Sequence, residues 1–128
     1  MNGVVVDTSA WIDFFAGGDL PALADALAQG AVVLPPIVIA ELVSGARRAA
    51  DRRAIAGLVQ ELAIHETPPE HWVRVGTLRR ELKDFGLNVS TPDAHVAQCA
   101  LDRSALLLSR DLVFARISEL VPLKLIKE

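Results

Sequence analysis

Short, nearly uninterrupted apolar segments alternate along this chain with longer segments of helical patterning. The predicted strands cover residues 4–6, 31–34, 63–65, 105–108 and 121–126. Strands that are buried on both faces show continuous apolar runs rather than an alternation of apolar and polar residues. The pattern therefore predicts an α/β fold with a central parallel sheet of about five short strands and helices on both faces.

Capping residues mark where several of the intervening helices begin. The first helix follows Asp7, Asp19 caps a second that reaches residue 28, and Thr91 caps another with Pro92 in its first turn. The remaining predicted helices cover residues 37–48, 50–62 and 68–85, and a short segment that begins near residue 111. Apolar residues on the inward face of the first helix are Trp11, Phe14 and Phe15.

Length, charge and cysteine content limit the class of protein. The chain has 128 residues, of which 52% are hydrophobic, and this predicts one domain over residues 1–128 with a substantial core. A single cysteine, Cys99, cannot form an internal disulfide and favours a reducing compartment. The N-terminus lacks a basic signal region, and the longest near-apolar segment, residues 31–40, is far shorter than the roughly 20 residues that span a bilayer. We therefore expect a soluble cytoplasmic domain that does not enter a membrane.

The formal charge of −3 argues against a protein that holds nucleic acid by bulk positive charge. It leaves open an enzyme that contacts phosphate through a bound cation.

Four carboxylates follow or lie near the predicted strand ends: Asp7, Glu41, Asp93 and Asp111. Ligands of open parallel sheets bind beyond the carboxyl ends of the strands, so these acids are expected to converge there. Converging carboxylates repel one another unless a cation is bound, and an all-oxygen ligand set favours Mg²⁺ or Mn²⁺. Such a metal can activate a water for phosphodiester hydrolysis.

Each of these acids also has a purely structural interpretation. Asp7 and Asp111 can cap helices, and Asp93 suits the first turn of its helix. Glu41 interrupts an apolar segment, where an unpaired buried acid would cost several kcal/mol, so it is expected either at a functional site or in a core salt bridge.

The same residues carry a resemblance to a known family. The segments are Val5-Val6-Asp7-Thr8-Ser9, Ile39-Ala40-Glu41-Leu42-Val43-Ser44-Gly45, Pro92-Asp93-Ala94-His95-Val96-Ala97 and Leu107-Leu108-Ser109-Arg110-Asp111-Leu112-Val113-Phe114. In this order and at this spacing they resemble the PIN domain, most closely the VapC-type toxins of toxin–antitoxin pairs.

The resemblance implies a Mg²⁺-dependent endoribonuclease of a type II toxin–antitoxin system on a Rossmann-like parallel sheet. The acidic metal-binding and catalytic set would be Asp7, Glu41, Asp93 and Asp111. Thr8 or Ser9 would match the hydroxyl after the first acid, and Ser109 the hydroxyl before the last, where Thr is more usual. The resemblance further implies a homodimer and a small antitoxin that threads a segment over the active site.

One position departs from the family pattern. A further Asp or Asn often precedes the Phe of the last motif, whereas this chain has Val113 there. We therefore expect one Mg²⁺ and leave a two-metal scheme open.

Two arginines are candidates for contacts with RNA. Arg48 is two helical turns from Glu41 on the predicted helix, and Arg110 adjoins Asp111, although either can be an ordinary surface residue. Arg79, Arg80 and Lys83 are interpreted as a solvent-exposed helix face.

The histidines and the cysteine are given structural interpretations. His95 is turned about 200° from Asp93 on its helix, and His65 and His71 lack metal-ligand spacing with it or with each other. Cys99 is interpreted as a small buried residue.

Two other classes of protein remain as alternatives. One is a PIN-like module that has lost catalysis and only binds proteins. The other is a receiver domain of flavodoxin-like topology, which has acids at its strand ends but usually pairs two of them beside the first strand.

Overall fold

The computed structural model describes residues 3–128, and its centre is a five-stranded parallel sheet. The strands are β1 (Val4–Val6), β2 (Val32–Leu34), β3 (Ala63–Ile64), β4 (Leu106–Leu108) and β5 (Lys124–Leu125). They lie in the order β3-β2-β1-β4-β5, with Val5 paired to Val33 on one side and to Leu107 on the other. The predicted α/β fold with about five short parallel strands is confirmed.

Seven helices connect the strands of the described chain. They are α1 (Thr8–Phe15), α2 (Pro21–Ala28), α3 (Pro36–Gly45), α4 (Ala49–Glu61), α5 (Pro69–Asp84), α6 (Thr91–Arg103) and α7 (Val113–Ser118). Parallel strands joined by right-handed crossovers place helices on both faces once the strand order reverses direction. The reversal occurs at β1, since β2 and β3 lie on one side of it and β4 and β5 on the other.

The core lies between the sheet and these helices. The strand residues Val5, Val6, Leu107 and Leu108 are at most 1% exposed, and Trp11 of α1 is fully buried. These side chains account for the apolar runs, because neither face of the sheet meets solvent at its centre.

The strand order separates two topologies that share similar lengths and strand-end acids. A flavodoxin-like receiver has the order 2-1-3-4-5, whereas a Rossmann-like sheet begins 3-2-1-4-5. The observed order is the second of these. The receiver alternative is therefore wrong.

Several predicted element boundaries need correction. Helix α3 ends at Gly45, and Arg48 precedes α4, so it does not share a helix with Glu41. Ser90 rather than Thr91 caps α6, because its hydroxyl accepts a hydrogen bond from the Asp93 amide.

Two further helices begin later than predicted. Leu20, not Asp19, occupies the position before α2, and it makes no side-chain capping bond. Helix α7 begins at Val113, after the predicted start near Asp111. Among the described residues, no helix is long and apolar enough to cross a membrane.

Candidate functional site

Asp7 lies at the carboxyl end of the central strand β1. Its amide donates to the Leu108 carbonyl at 2.9 Å, and its own carbonyl accepts the first amides of α1. The Asp7 side chain makes no capping bond, although the residue stands at the N-terminus of that helix. Its carboxylate is only 6% exposed, so capping does not explain why a buried acid stands here.

Two serine hydroxyls hold the Asp7 carboxylate. Ser9 donates to Oδ2 at 2.8 Å and Ser109 donates to the same atom at 2.9 Å. The two hydroxyls lie 3.2 Å apart and thereby join the start of α1 to the loop after β4. No hydrogen bond from residues 3–128 reaches Oδ1, so this oxygen is available to an external ligand.

Glu41 reaches the same region from α3. Its Oε1 accepts a hydrogen bond from the Thr8 hydroxyl at 2.6 Å, which links α3 to the first residue of α1. Glu41 is exposed, so the expectation that it lies buried in an apolar environment is wrong. Glu41 forms no ion pair within residues 3–128, so the alternative of a core salt bridge is also wrong.

Asp93 in the first turn of α6 experiences the charges of the other three acids. Burial raises the pKa of the Asp93 carboxyl, and the negative charges of Asp111, Asp7 and Glu41 raise it further, against an opposing hydrogen bond from Ser90. Hydrogen bonds join the other three acids, because Ser109 contacts both the Asp7 carboxylate and the Asp111 amide and Thr8 binds Glu41. The four carboxylates, from four different segments, thus lie in one region. Among the described residues no lysine or arginine forms an ion pair with any of them.

Asp111 combines a capping contact with a position at the site. Its Oδ1 accepts a hydrogen bond from the Val113 amide at 3.0 Å, at the start of α7. Its own amide donates to the Ser109 hydroxyl at 3.0 Å. Leu112 occupies the cap position of α7, so Asp111 is not its cap, although one of its oxygens binds the first amide of that helix; the carboxylate remains exposed to solvent.

These four acids form an all-oxygen set with no internal cation. Hard divalent cations such as Mg²⁺ prefer one or a few carboxylates together with waters, and the exposed position of Glu41 and Asp111 leaves room for those waters. We call this set, Asp7, Glu41, Asp93 and Asp111, the acidic site.

The two candidate arginines have different surroundings. Arg48 pairs with Asp51 at 3.1 Å but keeps a side chain that is 75% exposed, and it lines a groove that also contains Glu41. Arg110 donates to Asp13 at 2.9 Å, so the charge of its side chain is already partly neutralised.

An apolar groove of about 260 Å³ borders the acidic site. Its lining includes Ile12 and Phe15 of α1, Leu42 of α3 and Ile55 of α4, with Glu41 at its edge. Ile12 is 59% exposed, and this is unusual for a large aliphatic side chain beside a cluster of acids.

A second polar cluster, which the sequence did not predict, lies inside the protein between α5 and α6. His71 contacts Asp102 at 3.0 Å through Nδ1 and His95 at 2.7 Å through Nε2. His65 lies nearby, and Cys99 is within 4 Å of both ring nitrogens of His95. Cys99 is buried as expected, but the histidines are together although their spacing in the chain gave no such indication. The one available signal was the i, i+4 spacing of His95 and Cys99, which places them on the same helix face.

Protonation of these histidines is expected to destabilise the fold. Burial lowers the pKa of His95 to about 4 and also lowers that of His65, with neighbouring imidazoles adding to both shifts. Both groups are neutral in the folded chain, whereas in the unfolded chain they take up protons near pH 6.5. Stability is therefore full above pH 6.5 and falls as the pH drops toward the folded pKa.

We expect the free energy of unfolding in EDTA to fall by about 1 to 2 kcal/mol between pH 8 and pH 5.5. Urea denaturation at several pH values measures this change. A His95→Gln variant serves as the control and should show a flatter profile. An unchanged wild-type stability over this range would contradict the burial of neutral histidines.

Comparisons with known proteins agree with this geometry. The family model described as the PIN domain matches residues 4–120. The fold is similar to that of VapBC-1 from nontypeable Haemophilus influenzae, with a TM-score of 0.75 and 22% identity over 99% of this chain and 98% of that one. It is also similar to VapBC-5 from Mycobacterium tuberculosis, a member of the VapBC family of toxin–antitoxin systems, with a TM-score of 0.74 and 23% identity over 99% and 98% of the two chains.

A third similar structure is VapBC2 from Rickettsia felis bound to a DNA fragment from its promoter, with a TM-score of 0.75 and 21% identity over 98% of each chain. A search of curated proteins gives no significant match. The family model covers nearly the whole chain, including all four acids of the site. The chain therefore belongs to the PIN domain family.

Proposed function

We propose that residues 1–128 form a single Mg²⁺-dependent endoribonuclease domain, the VapC-type toxin of a type II toxin–antitoxin pair. The observation that carries this proposal is the convergence of Asp7, Glu41, Asp93 and Asp111 at the carboxyl edge of a PIN-domain sheet. Membership of the family and the similarity to VapBC structures support it.

The acidic site fits a Mg²⁺ ion, and Mn²⁺ can replace it. Its ligands would come from Asp7, Asp93, Asp111 and Glu41, directly or through water. Burial is the main cause of the raised pKa of Asp93, and the negative charges of Asp111, Asp7 and Glu41 add to it; a divalent cation would compensate these charges. When bound, the metal supplies a water of lowered pKa and positive charge against the phosphodiester.

The chain's own residues hold the acids in place for hydrolysis. Ser9 and Ser109 fix the Asp7 carboxylate through Oδ2. The Thr8 hydroxyl fixes the Glu41 side chain through a hydrogen bond. Glu41 is exposed to solvent and can accept a proton from an attacking water. One metal ion is proposed, since Val113 contributes only its backbone amide, to Asp111.

RNA is the proposed substrate, and the local charge permits its approach. With a divalent cation bound, the edge of the sheet becomes less negative where a phosphate must lie. Arg48 is the better placed of the two candidate phosphate contacts, because its exposed side chain lines the same groove as Glu41. Arg110 is the weaker candidate because Asp13 already binds it.

An antitoxin and a second copy of the chain are the proposed partners. The apolar groove lined by Ile12, Phe15, Leu42 and Ile55 can accept an apolar segment of the antitoxin beside the acidic site. Co-expression with the product of a short neighbouring reading frame tests the first partner, and light scattering of the purified chain tests the homodimer. Failure of the two proteins to co-purify would contradict the proposed antitoxin partner. A chain that is monomeric at micromolar concentration would contradict the proposed homodimer.

A thermal melt with an Asp93→Asn variant tests the metal site without any substrate. The folded state raises the pKa of Asp93, so its ionised form opposes folding at pH 7. In EDTA the variant should therefore melt at a higher temperature than the wild type. Mg²⁺ at ten times its dissociation constant should stabilise the wild type by about 1.4 kcal/mol and the variant by much less.

The same melts distinguish the proposed enzyme from the non-catalytic alternative. A PIN-like module that only binds proteins has no need of the metal, and it would show the same melting temperature with and without millimolar Mg²⁺. An Asp25→Asn variant, at an exposed acid of α2, is the control and should respond to Mg²⁺ as the wild type does.

A further inference from the structure

The buried cluster between α5 and α6 has the composition of a transition-metal site. His65, His71 and Cys99 each present one ligand atom, and these three atoms lie within 4.8 Å of one another. All three residues are at most 7% exposed. Their donors are two imidazole nitrogens and one sulfur, which select zinc and exclude Mg²⁺ by ligand type.

The distances are close to those that a tetrahedral zinc site requires. Bond lengths of about 2.0 to 2.3 Å place the ligand atoms roughly 3.3 to 3.6 Å apart in a tetrahedron. Side-chain movements of about 1 Å therefore close the observed triangle around an ion. His95 offers a fourth donor, since its Nδ1 lies 2.7 Å from Nε2 of His71 and 3.9 Å from Sγ of Cys99.

Asp102 orients His71 in the way that a carboxylate beside a metal site commonly orients a metal-binding histidine. It contacts Nδ1 of His71 at 3.0 Å, so Nε2 is the nitrogen that faces the cluster. Asp102 is itself fixed by two hydrogen bonds from Arg74 and one from Gln98, each 2.8 to 2.9 Å long. A histidine held this rigidly loses little freedom when it binds an ion.

Cys99 has the weakest hydrogen bonding in the cluster. Cys99 has only long contacts of 3.8 and 3.9 Å to the nitrogens of His95. Burial raises the pKa of its thiol, so a thiolate forms here only when a cation compensates its charge.

We propose that His65, His71 and Cys99, with His95 as the fourth donor, bind one structural Zn²⁺ ion that joins the end of β3 to α5 and α6. This site is distinct from the acidic site. Cys99 is six residues beyond Asp93 on α6, about 9 Å along the helix axis. The proposal does not depend on ribonuclease activity.

Metal analysis of tag-free protein tests the proposal. The chain is stripped with a chelator, incubated with excess Zn²⁺ and desalted, and bound zinc is measured by mass spectrometry. We expect about one zinc per wild-type chain and a loss of at least tenfold in Cys99→Ala and His65→Asn variants whose circular dichroism shows a folded domain. An Asp93→Asn variant should retain its zinc.

Cobalt provides a spectroscopic signature that identifies the ligands. Co²⁺ in the same site should give the visible bands of tetrahedral coordination and a near-ultraviolet thiolate-to-cobalt band that Cys99→Ala removes. The proposal is overturned if the wild type retains no zinc or cobalt. It is equally overturned if zinc remains in Cys99→Ala and disappears in Asp93→Asn, because the ion would then occupy the acidic site.

Discussion

An Asp7→Asn variant is expected to cleave RNA about 100- to 1,000-fold more slowly than the wild type. Removal of one preorganised charge-stabilising group from an active site has about this effect. Asparagine preserves the shape of the side chain, and its amide oxygen can still accept hydrogen bonds from the hydroxyls of Ser9 and Ser109. It removes the charge that a metal ion requires at the end of β1. The fold should therefore persist while the activity disappears.

The measurement is cleavage of a labelled single-stranded RNA under single-turnover conditions at saturating Mg²⁺. Asp25→Asn makes the same chemical change at an exposed acid of α2 and should cleave at the wild-type rate. Circular dichroism of both variants controls for folding. Asp7→Asn activity within a factor of three of the wild type would show that this carboxylate does not act in the reaction.

An Asp102→Asn variant should lose about 2 to 4 kcal/mol of stability, because it removes a charged acceptor shared by several donors. Asp102 belongs to the exposed end of α6, yet its side chain is only 14% exposed. Although burial raises its pKa, hydrogen bonds from Arg74, Gln98 and His71 outweigh burial and hold the pKa of Asp102 well below its usual range. The NH₂ group of an asparagine at this position would face one of these hydrogen-bond donors, so that one hydrogen bond could not form.

This loss corresponds to a fall of roughly 10 °C in melting temperature. Asp84→Asn, at an exposed acid of α5, is the control and should change stability by less than about 0.5 kcal/mol. The carboxylate has a lowered pKa in the folded state, so its contribution is complete above about pH 4 and is lost as the pH falls further. Equal stability of Asp102→Asn and wild type at pH 7 would contradict the account of this cluster.

Local signals in the sequence were sufficient to predict the architecture. The apolar strands and the residues that start and stop helices depend on neighbours in the chain, and they predicted a parallel sheet with acids at its carboxyl edge. Asp7 is where this reasoning placed it, since a residue that directly follows a buried central strand has little freedom to lie elsewhere.

The errors concern features that depend on tertiary packing. The predicted helix through Arg48 ends at Gly45, so the angle between Arg48 and Glu41 could not be calculated from helix geometry. Glu41 was expected to be buried because its sequence neighbours are apolar, but those neighbours lie on other sides of α3 and Glu41 itself is exposed.

The histidine cluster was out of reach for a related reason. His71 and His95 are 24 residues apart, and His71 and Asp102 are 31 apart. They meet because α5 packs along α6. The sequence pattern of one helix does not predict which residues of the other helix it will contact.

The central claim is that the acidic site binds a metal ion that activates a water for the hydrolysis of RNA. Analysis of the ends of the cleaved RNA, with Mg²⁺ and with EDTA, tests it most directly. Attack by water leaves a linear phosphate on one product, whereas attack by the neighbouring 2′-hydroxyl, which needs no metal, leaves a 2′,3′-cyclic phosphate. We predict linear phosphate ends with Mg²⁺, no cleavage in EDTA, and recovery on adding Mg²⁺ or Mn²⁺. Cleavage that persists in EDTA, cyclic phosphate ends, or no cleavage of any RNA with either metal would contradict the claim.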